Sequence, residues 1–372
     1  MANSVYRRVS KKRPCIVCGK PDWCSFTKTR SISFCARSTF LANRISPQGW
    51  GVYYHFDFDL SKPIQKEQRP RVKNIARGRV EDEEIRDIVY RKLIELSPAE
   101  SNIRIVSGKG GLSERGILNI SGYGSLPRKV SGRDILVERI EKELVATFGG
   151  TPSFFNDVPG FWIDRKGRIR LWSEHDISDD LLLIPFTGND GKIQACQIRF
   201  MRPIPNKSGR YLWLSSSGKR QGCGPGSPLH HADPGSRLDR SVLVTEGALK
   251  AATAQHFLDD RYVVGNSGVA SSHREIVETA RNKVFEIAFD NDSFTNPHVA
   301  RALAGLVRLR YADQRSFCYD DDIRILTWYR SCKGIDEALL AGHHLKGLTV
   351  DNWLACLSPE CFEQANQQLL LA

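Results

Sequence analysis

Hydrophobic and polar positions divide the chain into stretches of different rhythm. From Glu83 onward, Ile85, Ile88, Val89, Leu93 and Leu96 recur at helical spacing and predict an amphipathic helix. Farther on, LLLIPF (181–186) and KIQACQIRF (192–200) predict strands within a mixed α+β segment. Between 241 and 345 the pattern becomes regular. The apolar runs SVLVTEG, RYVVGNSG, VFEIAFDND and DIRILTWY are each followed by a stretch of helical character: ALKAATAQHFL, HREIVETARN, PHVARALAGLVRLRY and GIDEALLAGHH. Such alternation predicts an α/β unit, a parallel sheet with helices on both faces. Ahead of all this, residues 61–82 are polar and charged without apolar periodicity and read as a linker. The predicted organisation is therefore a small module at 1–60, the linker at 61–82, an α+β unit at 83–238, the α/β unit at 239–345 and a helical tail at 346–372.

A length of 372 residues suits that division, at roughly 100–200 residues per domain. No apolar run approaches the roughly 18 residues of a membrane span, and the N-terminus lacks the apolar core of a signal peptide, so the expected location is cytoplasmic, with no membrane partner. Charge sharpens the picture at one end. Residues 1–50 carry ten Lys/Arg against one acid, Asp22, a local +9 out of a total of +12. A basic module so concentrated points to a polyanion, most simply nucleic acid; the alternative is a solvated basic tail. No G-x-x-x-x-G-K-[ST] loop occurs, and SGKGG (107–111) lacks both its spacing and its hydroxyl, so no ATP-driven motor is expected.

Four of the ten cysteines crowd into Cys15, Cys18, Cys24 and Cys35, a C-x2-C-x5-C-x10-C spacing. Two thiolates across a tight turn can grip one ion from one side, and tetrahedral zinc needs two more ligands, which Cys24 and Cys35 supply. The SISF stretch before Cys35 would form a ribbon strand, and Trp23, Phe26 and Phe34 offer surfaces for stacking on single-stranded bases. Four protein ligands leave no open position, so such a zinc would be structural.

Acids recur at the carboxyl ends of the predicted strands, where ligands bind in open α/β sheets. Glu246 closes SVLVTE, Asp290 and Asp292 close VFEIAFDND, and Asp336 follows the last run with Glu337 beside it. Two carboxylates one residue apart repel each other unless a cation lies between them, and a hard divalent ion such as magnesium takes oxygen ligands of this kind. For Asp292 alone, capping the helix that follows is a competing role.

The ordered set of E-G (Glu246, Gly247), GNSGV (265–269), D-x-D (Asp290, Asp292) and K-G-I-D-E (333–337) resembles the Toprim domain of bacterial-type primases, topoisomerases and some nucleases. With the cysteine module in front, LSERGILNISGYGSLP (112–127) in the place of an "RGL" segment, and VPGFW (158–162) and RYLWLSS (210–216), nearly the whole chain resembles the zinc-ribbon and Toprim core of bacterial, phage and plasmid primases. Two departures bear on local geometry: the usual D-x-D-x-A-G continues here as SFTNPH, and the second cysteine pair is split.

The resemblance implies a DNA primase that joins ribonucleoside triphosphates into short RNA primers on a single-stranded DNA template. Zn2+ would be structural, and Mg2+ or Mn2+ catalytic at Glu246, Asp290 and Asp292, with Asp336 assisting. Arg199, Lys207, Arg210, Lys250 and Lys333 would hold nucleotide or template, although Lys250 and Lys333 could pair with a carboxylate instead. A replicative helicase would act in trans, and the amphipathic segment after 345 would either dock that partner or cap the sheet. Two readings compete: a Toprim metal-dependent nuclease, and a non-catalytic zinc-ribbon protein that binds nucleic acid. A type IA topoisomerase is not expected, because too few residues follow 345 to carry its tyrosine domain.

Overall fold

A computed structural model describes residues 6–27, 32–38, 42, 44–46, 49–54, 79–117, 119–148, 154–204, 209–235 and 241–370. Most of the expected linker therefore lies outside the described residues.

The α/β unit is built on four parallel strands, Arg261–Asn266, Ser241–Glu246, Phe285–Ala288 and Ile323–Thr327, adjacent in that order. These strands read as continuous apolar runs because both their faces are covered. On one face Val242, Val244, Val264 and Ile287 pack with Ile276 and Leu303 from the helices His273–Ala280 and Pro297–Phe317. On the other face Leu243, Val263 and Ala288 pack with Ala251 and Ala338 from the helices Ala248–Phe257 and Ile335–Leu340. Each fully buried Val or Leu stabilises by roughly 1.5–3 kcal/mol, so the alternation along one strand fastens two helix layers at once.

The sheet is mixed rather than wholly parallel. His230–His231 and Lys346–Leu348 add antiparallel edges from outside 239–345. Beyond the second edge, Trp353, Cys361 and Ala365 enter the core, and Pro359–Leu370 packs along Pro297–Phe317. The segment after 345 thus extends the sheet edge and packs on the helix Pro297–Phe317.

The second unit carries an antiparallel sheet of Tyr211–Trp213, Ile193–Phe200, Leu181–Thr187 and Gly124–Leu126. Leu181 and Leu183 face the long helices Arg79–Leu96 and Val130–Phe148. Leu182, Ile184 and Phe186 face the opposite way and pack with Ile105, Leu112, Ala248 and Leu249. Period-two alternation therefore joins the two units through the helix Ala248–Phe257. The N-terminal module is a five-stranded antiparallel sheet that includes Ile32–Cys35, the strand expected from SISF. Among the described residues no helix is long and apolar enough to cross a membrane.

One buried carboxyl makes stability pH-dependent away from the acidic rim. Glu275 accepts a hydrogen bond from the Leu229 N–H at 3.3 Å, and burial pushes its carboxyl up to about 7. A raised carboxyl favours the fold while protonated, so its contribution is full below about 4.5 and is lost as pH rises through about 7. Glu275→Gln should therefore gain on the order of 1 kcal/mol over the wild type at pH 8, after discounting for partial solvent contact, and close to nothing at pH 4. Urea midpoints of both proteins at the two pH values check this; a pH-independent difference would rule the assignment out.

Candidate metal and nucleotide site

Glu246 ends its strand in register with Asn266, one residue before Gly247. Gly247 has φ 89° with open space around it, so backbone conformation rather than crowding calls for glycine where the strand turns into the helix Ala248–Phe257. That turn leaves Glu246 at the sheet rim. Its Oε1 accepts from the Asp290 backbone N–H at 3.1 Å, although the two residues are 44 apart in sequence. Neighbouring parallel strands thus bring the first two acidic motifs together. Burial first, and then the Asp290 charge, raise the Glu246 carboxyl to about 7. Asp292 sits in the following 3-10 turn, Asn291–Phe294, where burial and Asp290 raise it as well.

The third motif arrives where the loop through Lys333 and Gly334 enters the helix Ile335–Leu340, with Asp336 in its first turn. Asp336 is buried, and its Oδ2 accepts from Arg115 Nη1 at 3.0 Å. Arg115 is fixed in turn where its carbonyl accepts from Thr253 Oγ1 at 2.7 Å, across the junction of the two units. Sequence reasoning marked the segment containing Arg115 but not the residue itself. Only the docking of that segment on Ala248–Phe257 reveals its partner.

Asn291, the residue between the two aspartates, was also missed. Its backbone N–H donates to the Lys333 carbonyl at 2.9 Å, and its Nδ2 donates to the Cys332 carbonyl at 2.8 Å and the Tyr329 carbonyl at 3.4 Å. The side chain thus ties Tyr329 and Cys332 to the acidic turn, while the backbone N–H holds Lys333 there. Asn291→Ala should release Tyr329 and Cys332 while the backbone bond to Lys333 survives, lowering stability by about 1 kcal/mol. Thermal melting and amide exchange across 329–332 check this; unchanged exchange would show that the side chain does not hold the loop.

The cationic residues expected to hold substrate fall into different settings. Lys250 pairs with Asp290 Oδ1, and Lys333 lies 3.5 Å from Asp290 Oδ2 with its side chain 68% exposed. Arg199 is buried, with Met201 Sδ at 3.3 Å and its guanidinium 5.9 Å from the Tyr211 ring centroid; burial lowers it from its ordinary value. Arg210 is half-buried, with its guanidinium near Gly110 as that of Arg199 is. Lys207 lies outside the described residues.

A cleft of about 350 Å³ is lined by Glu246, Lys250, Asp290, Lys333, Asp336 and Arg115, among others. It shares Gln197, Tyr211, Ser267 and Gly268 with a second cavity of about 300 Å³, which extends to Trp23 and Arg37 of the N-terminal module. The cysteine turn reaches the helix that follows the acidic motif, with Gly19 packed near the ring of His298 at the start of Pro297–Phe317.

Within that module the sulfurs of Cys15, Cys18, Cys24 and Cys35 are all buried and lie within 4.8 Å of one another. Cys24 Sγ is 3.6 Å from Cys18 Sγ and 3.8 Å from Cys35 Sγ. Zn–S bonds of about 2.3 Å set tetrahedral edges near 3.8 Å, so the cluster fits zinc. The split second pair is accommodated by a three-residue turn, in which Cys24 N–H donates to the Asp22 carbonyl at 2.9 Å and Trp23 takes φ 68°. Among the described residues the carboxylates are not drawn together to that degree.

No protein-family model matches the chain, and no curated protein matches it in sequence. Among solved structures it is similar to the zinc-binding and RNA polymerase domains of the Aquifex aeolicus primase, at 13% identity and a TM-score of 0.48 over 99% of this chain and 85% of that one. It is also similar to a DNA primase domain from Pseudomonas aeruginosa, at 16% identity and a TM-score of 0.45 over 73% and 77%. A third likeness is to a DnaG primase catalytic domain solved with single-stranded DNA, at 14% identity and a TM-score of 0.42 over 73% and 85%.

Proposed function

We propose that the chain synthesises short RNA primers on single-stranded DNA, joining ribonucleoside triphosphates by metal-dependent nucleotidyl transfer in a Toprim-type site. The observation that carries this reading is the hydrogen bond from Asp290 N–H to Glu246 Oε1, which supports a shared acidic rim beside a ligand-sized cleft. Asp292 Oδ1 and Asp336 Oδ1 are buried without a hydrogen-bond partner, and the donor set is all oxygen; both features fit a hard divalent cation such as magnesium or manganese. Glu246, Asp290 and Asp292 would hold it, with Asp336 assisting. When bound, such an ion supplies charge neutralisation for the phosphates and eases deprotonation of the attacking hydroxyl.

The chain's own residues would do the rest. Glu246, with its carboxyl near 7 and Oε1 engaged by Asp290 N–H, has Oε2 left for a proton or a ligand. Exposed Lys333 and half-buried Arg210 would take phosphate oxygens, and Lys207 remains a candidate. Buried Arg199 would back the site through Tyr211 rather than reach solvent. The zinc module, whose cavity continues into the acidic cleft, would guide the template strand past Trp23 and Arg37. A replicative helicase acting in trans is the proposed source of unwound template.

The test is a priming assay on single-stranded DNA with magnesium and ribonucleotides, run in parallel with deoxyribonucleotides. Short products made from ribonucleotides are expected. No product from either set would overturn the reading, and template cleavage without nucleotides would favour a nuclease.

A further inference from the structure

We propose that the Lys250 ammonium is a resident counter-ion of the acidic site, and that a divalent cation must displace it from Asp290 in order to bind there. The proposal rests on the metal-site reading above and adds a condition to it. Lys250 Nζ contacts Asp290 Oδ1, with only 19% of the lysine side chain exposed. Lys333 Nζ, at 3.5 Å, faces Asp290 Oδ2. Both oxygens of this buried carboxylate therefore already have a cation beside them.

Two further observations indicate that the position is built. Lys250 is the third residue of the helix Ala248–Phe257, where the positive end of the helix dipole disfavours a cation. Only the surrounding carboxylates can compensate, and Lys250 is drawn by Glu246 and Asp336 as well as by Asp290. Space for the ammonium comes from Gly334. A Cβ there would lie 2.9 Å from Lys250 Nζ, 3.0 Å from its Cε and 2.5 Å from Asp336 Oδ1. Gly334 has φ −110°, a conformation open to any residue, so room for these two groups is what glycine provides.

A divalent ion at Asp290 would be repelled by a lysine held this close. Binding then requires the ammonium to swing away, and the triphosphate of a nucleotide entering the same cleft would offer it a new partner. Lys250 would thereby make metal and nucleotide binding mutually dependent, and keep the ion weakly held while the cleft is empty of substrate.

Titration of Mn2+ into the zinc-loaded full chain without nucleotide, followed by the EPR signal of the free ion, tests this. Lys250→Met is expected to bind Mn2+ about tenfold to a hundredfold more tightly than the wild type. Lys250→Gln, which keeps a donor for Asp290 without the charge, should shift the same way. The gain in Tm at a fixed Mn2+ concentration should likewise be larger for both variants. Equal or weaker Mn2+ binding in both variants would overturn the proposal. Asp290→Asn combined with Asp292→Asn separates the two levels. If that pair abolishes Mn2+ binding while the Lys250 variants match the wild type, only the counter-ion role falls. If it leaves Mn2+ binding unchanged, or if no form binds, the metal-site reading falls too.

Discussion

Asp290→Asn together with Asp292→Asn should lower primer synthesis by at least about a thousandfold while leaving the protein folded. The pair removes two of three carboxylates proposed to hold the divalent ion, and each 1.36 kcal/mol of lost transition-state stabilisation costs about tenfold in rate. Asparagine preserves volume at both sites, so the sheet and its helices keep their packing. One electrostatic cost remains. Lys250 loses the charge it pairs with and is left a largely buried ammonium facing Glu246 and Asp336. That should lower stability by about 1–3 kcal/mol, a separate quantity that thermal melting reads directly. The discriminating comparison is Arg281→Ala, which removes an ion pair with Asp313 far from the cleft. Its priming should hold whatever the change in its melting temperature. Unimpaired product from the double aspartate variant would remove the catalytic assignment altogether.

How far the chain reveals this site before folding depends on which forces fix each residue. The four central strands are legible because double-sided burial demands unbroken apolar runs, and Val242–Val244 or Val263–Val264 can serve no exposed role. Their acids are legible because the strands end where the apolar runs end. His230–His231 and Lys346–Leu348 are not, since strands of two or three residues with polar side chains carry no periodic signal. Pairings across the junction are hidden for a different reason. Arg115 meets Asp336 across 221 positions, and Asn291 reaches carbonyls around 40 positions away, so neither contact leaves a local trace. Lys250 shows the intermediate case. Its place one turn beyond Glu246 suggests a role at the rim, but choosing between substrate and carboxylate takes the neighbouring strand and the gap at Gly334. Arg199 alternates with Ile198 and Phe200, which turns it away from their core, so its burial comes from tertiary packing on the opposite face that the strand pattern does not show.

Cys15→Ser with Cys18→Ser should release one zinc per chain and unfold the N-terminal module while the two larger units stay intact. The module has little else to hold it. Its buried cluster is Val9, Cys15, Cys18, Cys24, Phe26, Cys35 and Tyr53, so the ligands make up most of its own core. A unit this small buries too little apolar surface to fold unaided, whereas structural zinc contributes on the order of 10–16 kcal/mol of apparent binding free energy. The larger units draw on separate clusters around Leu183 and Val244 and have no need of the metal. Metal analysis should therefore fall to zero zinc, and amide exchange should accelerate in Ile32–Cys35 and Gly51–Tyr54 but not in Ser241–Glu246. Mn2+ titration of the variant should match the wild type, because the acidic rim belongs to a different core. Template affinity should drop by about tenfold or more. The salt dependence should persist in part, since the basic residues of the unfolded module still attract phosphate but no longer present Trp23 and Arg37 along the cavity that leads to Glu246. Unchanged zinc content would refute the four-thiolate site. Unchanged template affinity with zinc lost would detach the module from template guidance and leave it a structural appendage.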